Sequence, residues 1–189
     1  MTAAMRAADV TLGVLAGGRG TRLGGCDKAW IERGGMPQVL RLVRRFAPEV
    51  GDVLVSANGD DPRYAAHGLR TVPDRVRDLG PAGGLDALAA ACTTPWLLTL
   101  PVDLVFVNEC LLPTLASAGG QGASVEDDDG PQPLVALWRV DALRACPVGA
   151  VSVQSLQDAL HMPRLRLQGV RFGNLNTPDD LAAAGATLP

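Results

Sequence analysis

The sequence predicts an α/β fold: one domain built as a three-layer sandwich, with helices on both faces of a mostly parallel central sheet. Apolar runs of strand length alternate with segments of helical period, which is the pattern of parallel βαβ units. These runs are apolar at nearly every position, as expected when both faces of a sheet are covered. The 189 residues suit a single domain, and we expect residues 1–8 to form a flexible N-terminus.

Composition excludes several classes of function. Hydrophobic residues make up 47% of the chain and charged residues 20%, so the chain can bury a core and is not intrinsically disordered. The net charge of −3 is too weak to indicate nucleic acid or a membrane as a partner, and the longest apolar stretch, 95–107, is too short to span one. Four scattered cysteines, two distant histidines and no secretory signal predict reduced thiols, no zinc site and a cytoplasmic location.

The first half of the chain gives the clearest elements. A helix is expected over 37–46, because Pro37 suits a first turn and Val39, Val43 and Phe46 share one face. The other elements predicted here are strands at 10–16, 53–56, 69–72 and 96–100 and a helix at 84–92.

The signals weaken in the second half. A helix is expected around residues 111–115, where Pro113 is acceptable only in the first turn. The acidic segment 119–130 is expected to be a solvated loop, and residues 177–180 carry a cap, a proline and an acid that predict the start of a final helix. The remaining predictions are a strand at 134–138, a helix at 152–160 and a strand at 170–172.

A glycine-rich loop directly follows the first predicted strand. Its small residues let backbone N–H groups approach a polyphosphate, and its cations can offset the charge. The loop contains Gly17, Gly18, Gly20, Gly24 and Gly25 with Arg19, Arg22 and Lys28. Neither the G-x-x-x-x-G-K-[ST] nor the G-x-G-x-x-G spacing is present, which disfavours kinases, GTPases and dehydrogenases. Because ligands bind at the carboxyl ends of strands in α/β sheets, phosphate binding is favoured over a solvated surface turn.

The string L-A-G-G-x-x-x-R-x-G-G-x-D-K over residues 15–28 resembles the signature of the nucleotidyltransferases that make molybdopterin guanine dinucleotide, within the nucleoside-triphosphate transferase superfamily. The closing N-x-N-T-P-x-D-L over 174–181 is similar to the same branch, and the resemblance spans about residues 10–185. It implies a Rossmann-like fold and a reaction in which the terminal phosphate of molybdopterin attacks the α-phosphorus of GTP and releases pyrophosphate. It also allows molybdoenzyme-assembly proteins as partners.

Phosphoryl chemistry of this kind needs positioning and charge stabilisation more than covalent catalysis. Arg22 and Lys28 are therefore predicted to supply catalytic positive charge. Asp103 follows an apolar strand and is predicted to be a catalytic ligand of Mg²⁺, an ion that takes one or two carboxylates together with phosphate oxygens and water. The alternative for Asp103 is a turn aspartate.

The resemblance also implies a nucleotide site. Its predicted members are Leu15, Ala16, Gly17, Gly18, Lys28, Ser56, Asn58, Asp74 and Asp103, with Arg19, Gly83 and Asn176 as further candidates. Asp74 can accept from guanine N1–H and N2–H₂, although a turn acid after Pro73 is nearly as good a reading. Where the family often has asparagine this chain has Ser56 followed by Asn58, so which of the two contacts the nucleotide stays open.

Two other functions stay open on the sequence alone. The same site could use CTP, or a sugar phosphate or other phosphorylated acceptor, because base choice depends on a few pocket contacts. The domain could instead bind a nucleotide or the cofactor without catalysis, as a carrier or regulatory module. The presence of both Lys28 and Asp103 favours a Mg²⁺-dependent enzyme.

Overall fold

The structure is a computed structural model that describes residues 5–17, 26–76, 78–107, 109–146 and 152–189. Gly18, Arg19 and Arg22, which the sequence singles out, lie outside these residues. Of the expected flexible segment 1–8 the structure describes residues 5–8, in which Ala7 and Ala8 begin a short 3-10 helix, Ala7–Asp9. No helix in the described part of the chain combines the length and the apolar character needed to cross a membrane.

Strands and helices alternate along the described residues. The strands are β1 (Val10–Leu15), β2 (Glu32–Arg33), β3 (Met36–Pro37), β4 (Asp52–Ser56), β5 (Arg70–Val72), β6 (Trp96–Pro101), β7 (Gly122–Asp127), β8 (Gly130–Arg139), β9 (Arg164–Arg166) and β10 (Ala186–Thr187). The helices are α1 (Gln38–Phe46), α2 (Pro62–Ala66), α3 (Pro81–Ala91), α4 (Leu111–Ser117), α5 (Val140–Ala145), α6 (Val153–Ala159) and α7 (Pro178–Ala184). A second short 3-10 helix covers Lys28–Trp30.

The central sheet has seven strands in the order β5-β4-β1-β6-β8-β7-β9. β1 is parallel to β4 and β6, β4 is parallel to β5, and β7 is parallel to β9. Among the strands described for this sheet, β8 alone runs antiparallel to its neighbours, β6 and β7. This arrangement confirms the predicted mostly parallel sheet. A separate antiparallel sheet contains three short strands in the order β10-β2-β3.

Helices cover both faces of the central sheet, as predicted. On one face α1 and α4 bury Phe46 and other apolar residues against Leu12 of β1. On the other face α3, α5 and α6 pack on β4, β6 and β8, with Leu88 and Leu97 buried together. A Cβ added at Gly13 would lie 2.9 Å from both Leu88 Cδ1 and Leu97 Cδ1, so this glycine lets α3 pack closely on β1.

The prediction of a solvated loop over residues 119–130 is wrong, because this segment forms β7 and the start of β8. Asp127 is 0% exposed. Its carboxylate accepts hydrogen bonds from Phe172 N (2.9 Å), Asp129 N (3.0 Å) and Gln132 Nε2 (3.1 Å). Burial alone would raise the pKa of Asp127, but these donors outweigh it and lower that pKa. The strand β7 can end at the buried Asp127 because three hydrogen bonds stabilise this carboxylate.

The prediction of a strand at 170–172 is also wrong. The strand in this region is β9, Arg164–Arg166, which pairs with β7. Phe172 instead connects three parts of the chain through its main chain. Its N–H donates to Asp127, and its carbonyl accepts from Val105 N (3.1 Å) and Phe106 N (2.8 Å). The Val-Arg-Phe sequence predicted a strand here, but the backbone of Phe172 bonds to the Asp127 side chain and to the N–H groups of Val105 and Phe106, and forms no strand pairing with a described residue.

The predicted helix starts agree with the structure at two difficult places. Pro113 lies in the first turn of α4, where its missing N–H removes no intrahelical hydrogen bond. The α7 start has the predicted capping box between Thr177 and Asp180, with Pro178 at the first helical position. α3 begins at Pro81, three residues before the predicted 84, because Gly80 adopts φ 57° and Pro81 begins the first turn.

Candidate active site

The candidate site lies where β1, β4 and β6 end, at the carboxyl edge of the parallel part of the sheet. Two hydrogen bonds continue the strand pairing past these ends: Ala16 N donates to Ser56 O (2.9 Å), and Val102 N donates to Leu15 O (3.0 Å). Leu15, Ala16 and Ser56 were predicted from separate motifs. The sheet brings them to one edge because neighbouring parallel strands end together.

Four of the predicted nucleotide-binding residues form one cluster on the β4 side of this edge. Asn58 Nδ2 donates to Asp74 Oδ2 (2.8 Å), and Asn58 Oδ1 accepts from Asp74 N (2.9 Å). A Cβ added at Gly17 would lie 3.4 Å from Asn58 Nδ2 and 4.0 Å from Ser56 Oγ. The two side chains that the sequence left as alternatives therefore have different roles, since Asn58 fixes Asp74 and Ser56 lies buried behind Gly17.

One carboxylate oxygen of Asp74 lacks a hydrogen-bond donor among the described residues. Oδ2 accepts from Asn58, whereas Oδ1 is buried and accepts no hydrogen bond from a described residue. A buried carboxylate oxygen without a donor costs stability, so a donor from a ligand would offset this cost.

The first turn of α3 packs against the same cluster. A Cβ added at Gly84 would lie 2.6 Å from Ser56 Oγ and 2.9 Å from Leu15 Cδ2. A Cβ at Gly83 would lie 3.5 Å from Asp74 Cγ and 3.3 Å from Val76 O. The glycine pair therefore lets the N-terminus of α3, the positive end of the helix dipole, come close to the cluster. Both glycines belong to the G-P-A-G-G sequence at residues 80–84. Sequence reasoning named Gly83 as a site candidate and did not name Gly84.

A second cluster joins three residues that are far apart in the sequence. Lys28 Nζ donates to Asp103 Oδ2 (2.8 Å) and to Asn176 Oδ1 (2.5 Å). The Lys28 and Asp103 side chains are 14% and 18% exposed, so water screens this ion pair less than a surface pair. Removing either charge would leave the other partly buried and unpaired. The structure thus brings together the predicted lysine, the predicted metal ligand and the further candidate Asn176.

Asn176 is held in place by the start of α7. Asp180 accepts from Asn176 N (3.0 Å) and Thr177 N (2.8 Å), while Thr177 Oγ1 accepts from Asp180 N (3.2 Å). The hydrogen bond with the Thr177 side chain and those from the two backbone N–H groups lower the pKa of Asp180. Leu175 N donates to Asp103 O (2.9 Å). The segment 176–180 therefore has two roles: it caps the start of α7, and it holds the Asn176 side chain against Lys28.

Lys28 begins a 3-10 helix whose position is fixed by Asp27 and Tyr64. Asp27 caps this helix by accepting from Ala29 N (2.9 Å), and its other oxygen accepts from the Tyr64 hydroxyl (3.2 Å). Tyr64 is buried and packs on Trp30 with ring centroids 5.0 Å apart. Burial raises the pKa of Tyr64, and the charge of Asp27 raises it further. Sequence reasoning included Asp27 only as a letter of the signature string over residues 15–28 and missed its contact with Tyr64, because nothing in the sequence relates two residues so far apart.

Asp103 offers the kind of site that binds Mg²⁺ together with a phosphate ligand. In the described part of the chain no three or more His, Cys, Asp or Glu side chains converge on a common point. Asp103 offers one carboxylate, beside the amide oxygen of Asn176 that shares Lys28. Mg²⁺ is commonly bound by one or two carboxylates and completes its shell with substrate phosphates and water. The residues present therefore suit Mg²⁺ that arrives with a phosphate ligand.

Sequence comparisons identify the family of this chain. A family model described as a MobA-like NTP transferase domain matches residues 12–164. The molybdenum cofactor guanylyltransferase of Cereibacter sphaeroides is 36% identical over 184 residues, which covers 93% of this chain and 95% of the relative. The protein of that name from Cupriavidus taiwanensis is 33% identical over 190 residues, covering 93% and 96%. The one from Pseudomonas aeruginosa is 45% identical over 109 residues, a match that spans only 55% of that relative.

Solved structures with the same fold include molybdopterin-guanine dinucleotide biosynthesis protein A from Archaeoglobus fulgidus, with a TM-score of 0.62 and 20% identity over 92% of this chain and 96% of that one. The 2-C-methyl-D-erythritol 4-phosphate cytidylyltransferase of Thermus thermophilus superposes with a TM-score of 0.64 at 15% identity, covering 91% of this chain and 95% of that one. At these identities the structures are evidence for the fold alone. The family model and the relatives that match over nearly their whole length show more: this chain belongs to the MobA-like NTP transferase family.

Proposed function

We propose that the protein is a Mg²⁺-dependent guanylyltransferase that transfers GMP from GTP to the terminal phosphate of molybdopterin and releases pyrophosphate. The observation that carries this proposal is the contact of Lys28 with both Asp103 and Asn176 at the strand edge that also holds Gly17 and Asp74. The names of the relatives that match over nearly their full length support the choice of substrates.

Guanine recognition is proposed to centre on Asp74. Its Oδ1 is buried without a donor from the described residues, and its Oδ2 is fixed by Asn58. A carboxylate accepts well from the N1–H and N2–H₂ groups of guanine, whereas cytosine offers a single amino group. This difference favours GTP over CTP, the alternative nucleotide.

The triphosphate is proposed to run from Gly17 and the first turn of α3 towards Lys28. The close approach of Gly83 and Gly84 to this edge supports that path, because helix N-termini favour anions. Gly18, Arg19 and Arg22, the other predicted members of the phosphate loop, stay part of the proposal. They would add backbone donors and positive charge to the same phosphates.

In the proposed reaction an oxygen of the molybdopterin phosphate attacks the α-phosphorus of GTP. The bond between the α-phosphorus and the oxygen bridging to the β-phosphorus breaks, and pyrophosphate leaves with its electron pair. Asp103 would hold Mg²⁺, which when bound stabilises negative charge on the phosphate oxygens. Lys28 adds positive charge beside them, and Asn176 orients the lysine through its amide oxygen.

The cellular setting is part of the same proposal. Cys26, Cys92 and Cys146 are free thiols, which fits a reducing compartment such as the cytoplasm. Molybdoenzyme-assembly proteins are proposed to receive the product.

Two measurements on the purified protein test the proposed function. With Mg²⁺, GTP and molybdopterin we expect release of pyrophosphate, and in a thermal-shift panel of GTP, CTP, ATP and UTP we expect GTP to protect most. Protection by GTP without pyrophosphate release would favour the non-catalytic binding module instead. Stronger protection by CTP would overturn the guanine assignment, and the absence of both protection and pyrophosphate would overturn the function.

A further inference from the structure

Four consecutive carbonyl groups around Asp103 each accept a hydrogen bond from outside their own loop. Leu175 N donates to Asp103 O (2.9 Å). Gln38 Nε2 donates to Leu104 O (2.7 Å) and, at a longer 3.4 Å, to Val102 O. Arg33 Nη1 donates to Val105 O (2.6 Å). Two side chains from a different part of the chain thus hold the backbone on both sides of Asp103.

Packing alone does not explain Gln38. The residue is the first of α1 and is 1% exposed. Its Oε1 is buried and takes no hydrogen bond from a described residue. Burying an amide with an unsatisfied oxygen costs stability, and an apolar side chain of similar volume would avoid that cost. The contribution of Gln38 is therefore the pair of hydrogen bonds that its nitrogen donates to the Asp103 loop.

Arg33 reaches the same loop from the β2–β3 hairpin. The turn of this hairpin contains Gly34 (φ 58°) and Gly35 (φ 71°). Arg33 pairs with Met36 beside the turn, and Gln38 follows β3 at the open end of the hairpin, so one hairpin and its exit carry both residues. Burial, and the nearby charge of Arg41, lower the pKa of Arg33. Arg33 forms no ion pair with a described residue, and no Asp or Glu of the sequence lies outside those residues. Its guanidinium donates to Val105 O and lies over the Phe106 ring, 5.8 Å from the ring centroid, so both contacts are with the Asp103 loop.

We propose that Gln38 and Arg33 form a clamp that sets the position of the Asp103 carboxylate for metal and triphosphate. They are positioning residues, because they touch the loop backbone and not the reacting groups. A metal ligand on a loop binds well only if the loop is held in the binding geometry before the ion arrives. This inference rests on the proposed role of Asp103 as a metal ligand. It assigns to Gln38 and Arg33 the role of holding the Asp103 loop in place.

The test compares Gln38→Met with a matched control, Gln157→Met. Gln157 is also a buried glutamine, 3% exposed, and its Nε2 donates to one backbone carbonyl, Pro133 O (2.7 Å), on the other face of the sheet. Binding of Mn²⁺ to each protein with GTP is measured by electron paramagnetic resonance, together with the melting temperature. Gln38→Met is expected to weaken Mn²⁺ binding roughly 10- to 100-fold. The rise in melting temperature that GTP gives without metal should be the same in Gln38→Met as in the wild type. The control, Gln157→Met, should lose thermal stability but keep its Mn²⁺ affinity.

Unchanged Mn²⁺ affinity in a folded Gln38→Met protein overturns the clamp. If Gln38→Met does not fold, Arg33→Met decides, because Arg33 is only partly buried and its removal leaves α1 intact. The same weakening of Mn²⁺ binding then supports the clamp, and unchanged binding overturns it. A wild-type protein that binds no Mn²⁺ with GTP overturns the proposed function itself, so the two failures are distinguishable.

Discussion

At the scale of single residues, the site divides into a recognition cluster and a transfer cluster. Asp74 and Asn58 bond to each other on the β4 side. Lys28 joins Asp103 and Asn176 on the β6 side. Each cluster contains a carboxylate that accepts a hydrogen bond from one side chain of the described residues, so a substitution there acts directly on one cluster and leaves the other in place.

Asp103→Ala tests the transfer cluster. Loss of the carboxylate removes the proposed Mg²⁺ ligand and leaves Lys28 without its counter-charge, so we expect turnover to fall by roughly 10²- to 10³-fold. GTP protection measured with a chelator should survive, since the recognition cluster is untouched. Pyrophosphate release and thermal shift are the two measurements, and unchanged turnover would remove Asp103 from the mechanism.

Asp74→Asn tests the recognition cluster. An amide offers one acceptor oxygen in place of two, so we expect GTP binding to weaken by about 1.5–3 kcal/mol and discrimination against CTP to shrink. Titration calorimetry with both nucleotides measures this. The matched control is Asp86→Asn in α3, whose carboxylate pairs with Arg75 on the surface (3.5 Å) and should leave the GTP affinity as it is. Equal effects of the two variants would contradict the assignment.

The site residues that sequence reasoning placed correctly come from continuous motifs that follow strands. Lys28, Ser56 and Asp103 each lie at or just after the end of a predicted strand or its loop, so strand order alone brings them near one edge. Gly84, Tyr64 and Gln38 escaped prediction. Their roles depend on contacts with residues distant in the sequence, which local patterns do not encode.

At the scale of elements, helix α3 and the segment after β9 decide how the site is built. The helix predicted from residue 84 begins three residues earlier, at Pro81, and Gly84 in its first turn allows the close approach to Ser56. The Val-Arg-Phe sequence at 170–172 predicted a strand, but Phe172 bonds to Asp127 and to the Asp103 loop. In both places tertiary contacts overrode local propensity.

Gly84→Ala tests the packing of α3 against the strand edge. The added Cβ would lie 2.6 Å from Ser56 Oγ, so the helix N-terminus must shift. We expect a loss of about 1–3 kcal/mol in the free energy of unfolding and weaker GTP binding. Adding Ser56→Ala removes the closest clash and should restore part of both. Chemical denaturation and GTP titration measure the pair, and full stability in the single variant would contradict the close packing.

At the scale of the whole molecule, Asp127 links the β7–β8 hairpin to the segment that supports the site. Its donors come from Phe172, Gln132 and Asp129, and they lower its pKa in the folded protein. A lowered folded pKa means that the stabilisation is complete above the ordinary pKa of about 3.9 and is lost as the pH falls through the folded value.

Asp127→Asn should therefore lower the free energy of unfolding by about 1–3 kcal/mol at neutral pH, because an amide group would face donors. The difference from the wild type should shrink below about pH 4 as the native carboxylate becomes protonated. Denaturation curves across this range measure the effect. A difference that stayed constant down to pH 2 would show that the charge of Asp127 is not what stabilises the hairpin.

The central claim is guanylyl transfer at the edge where Lys28 meets Asp103. The most direct measurement follows the label of GTP carrying ³²P at the α-phosphate during one turnover with Mg²⁺ and molybdopterin. The account predicts that the label moves into the molybdopterin dinucleotide and that one unlabelled pyrophosphate appears for each dinucleotide formed. Label that remained in GTP, or that appeared only as free GMP, would contradict it.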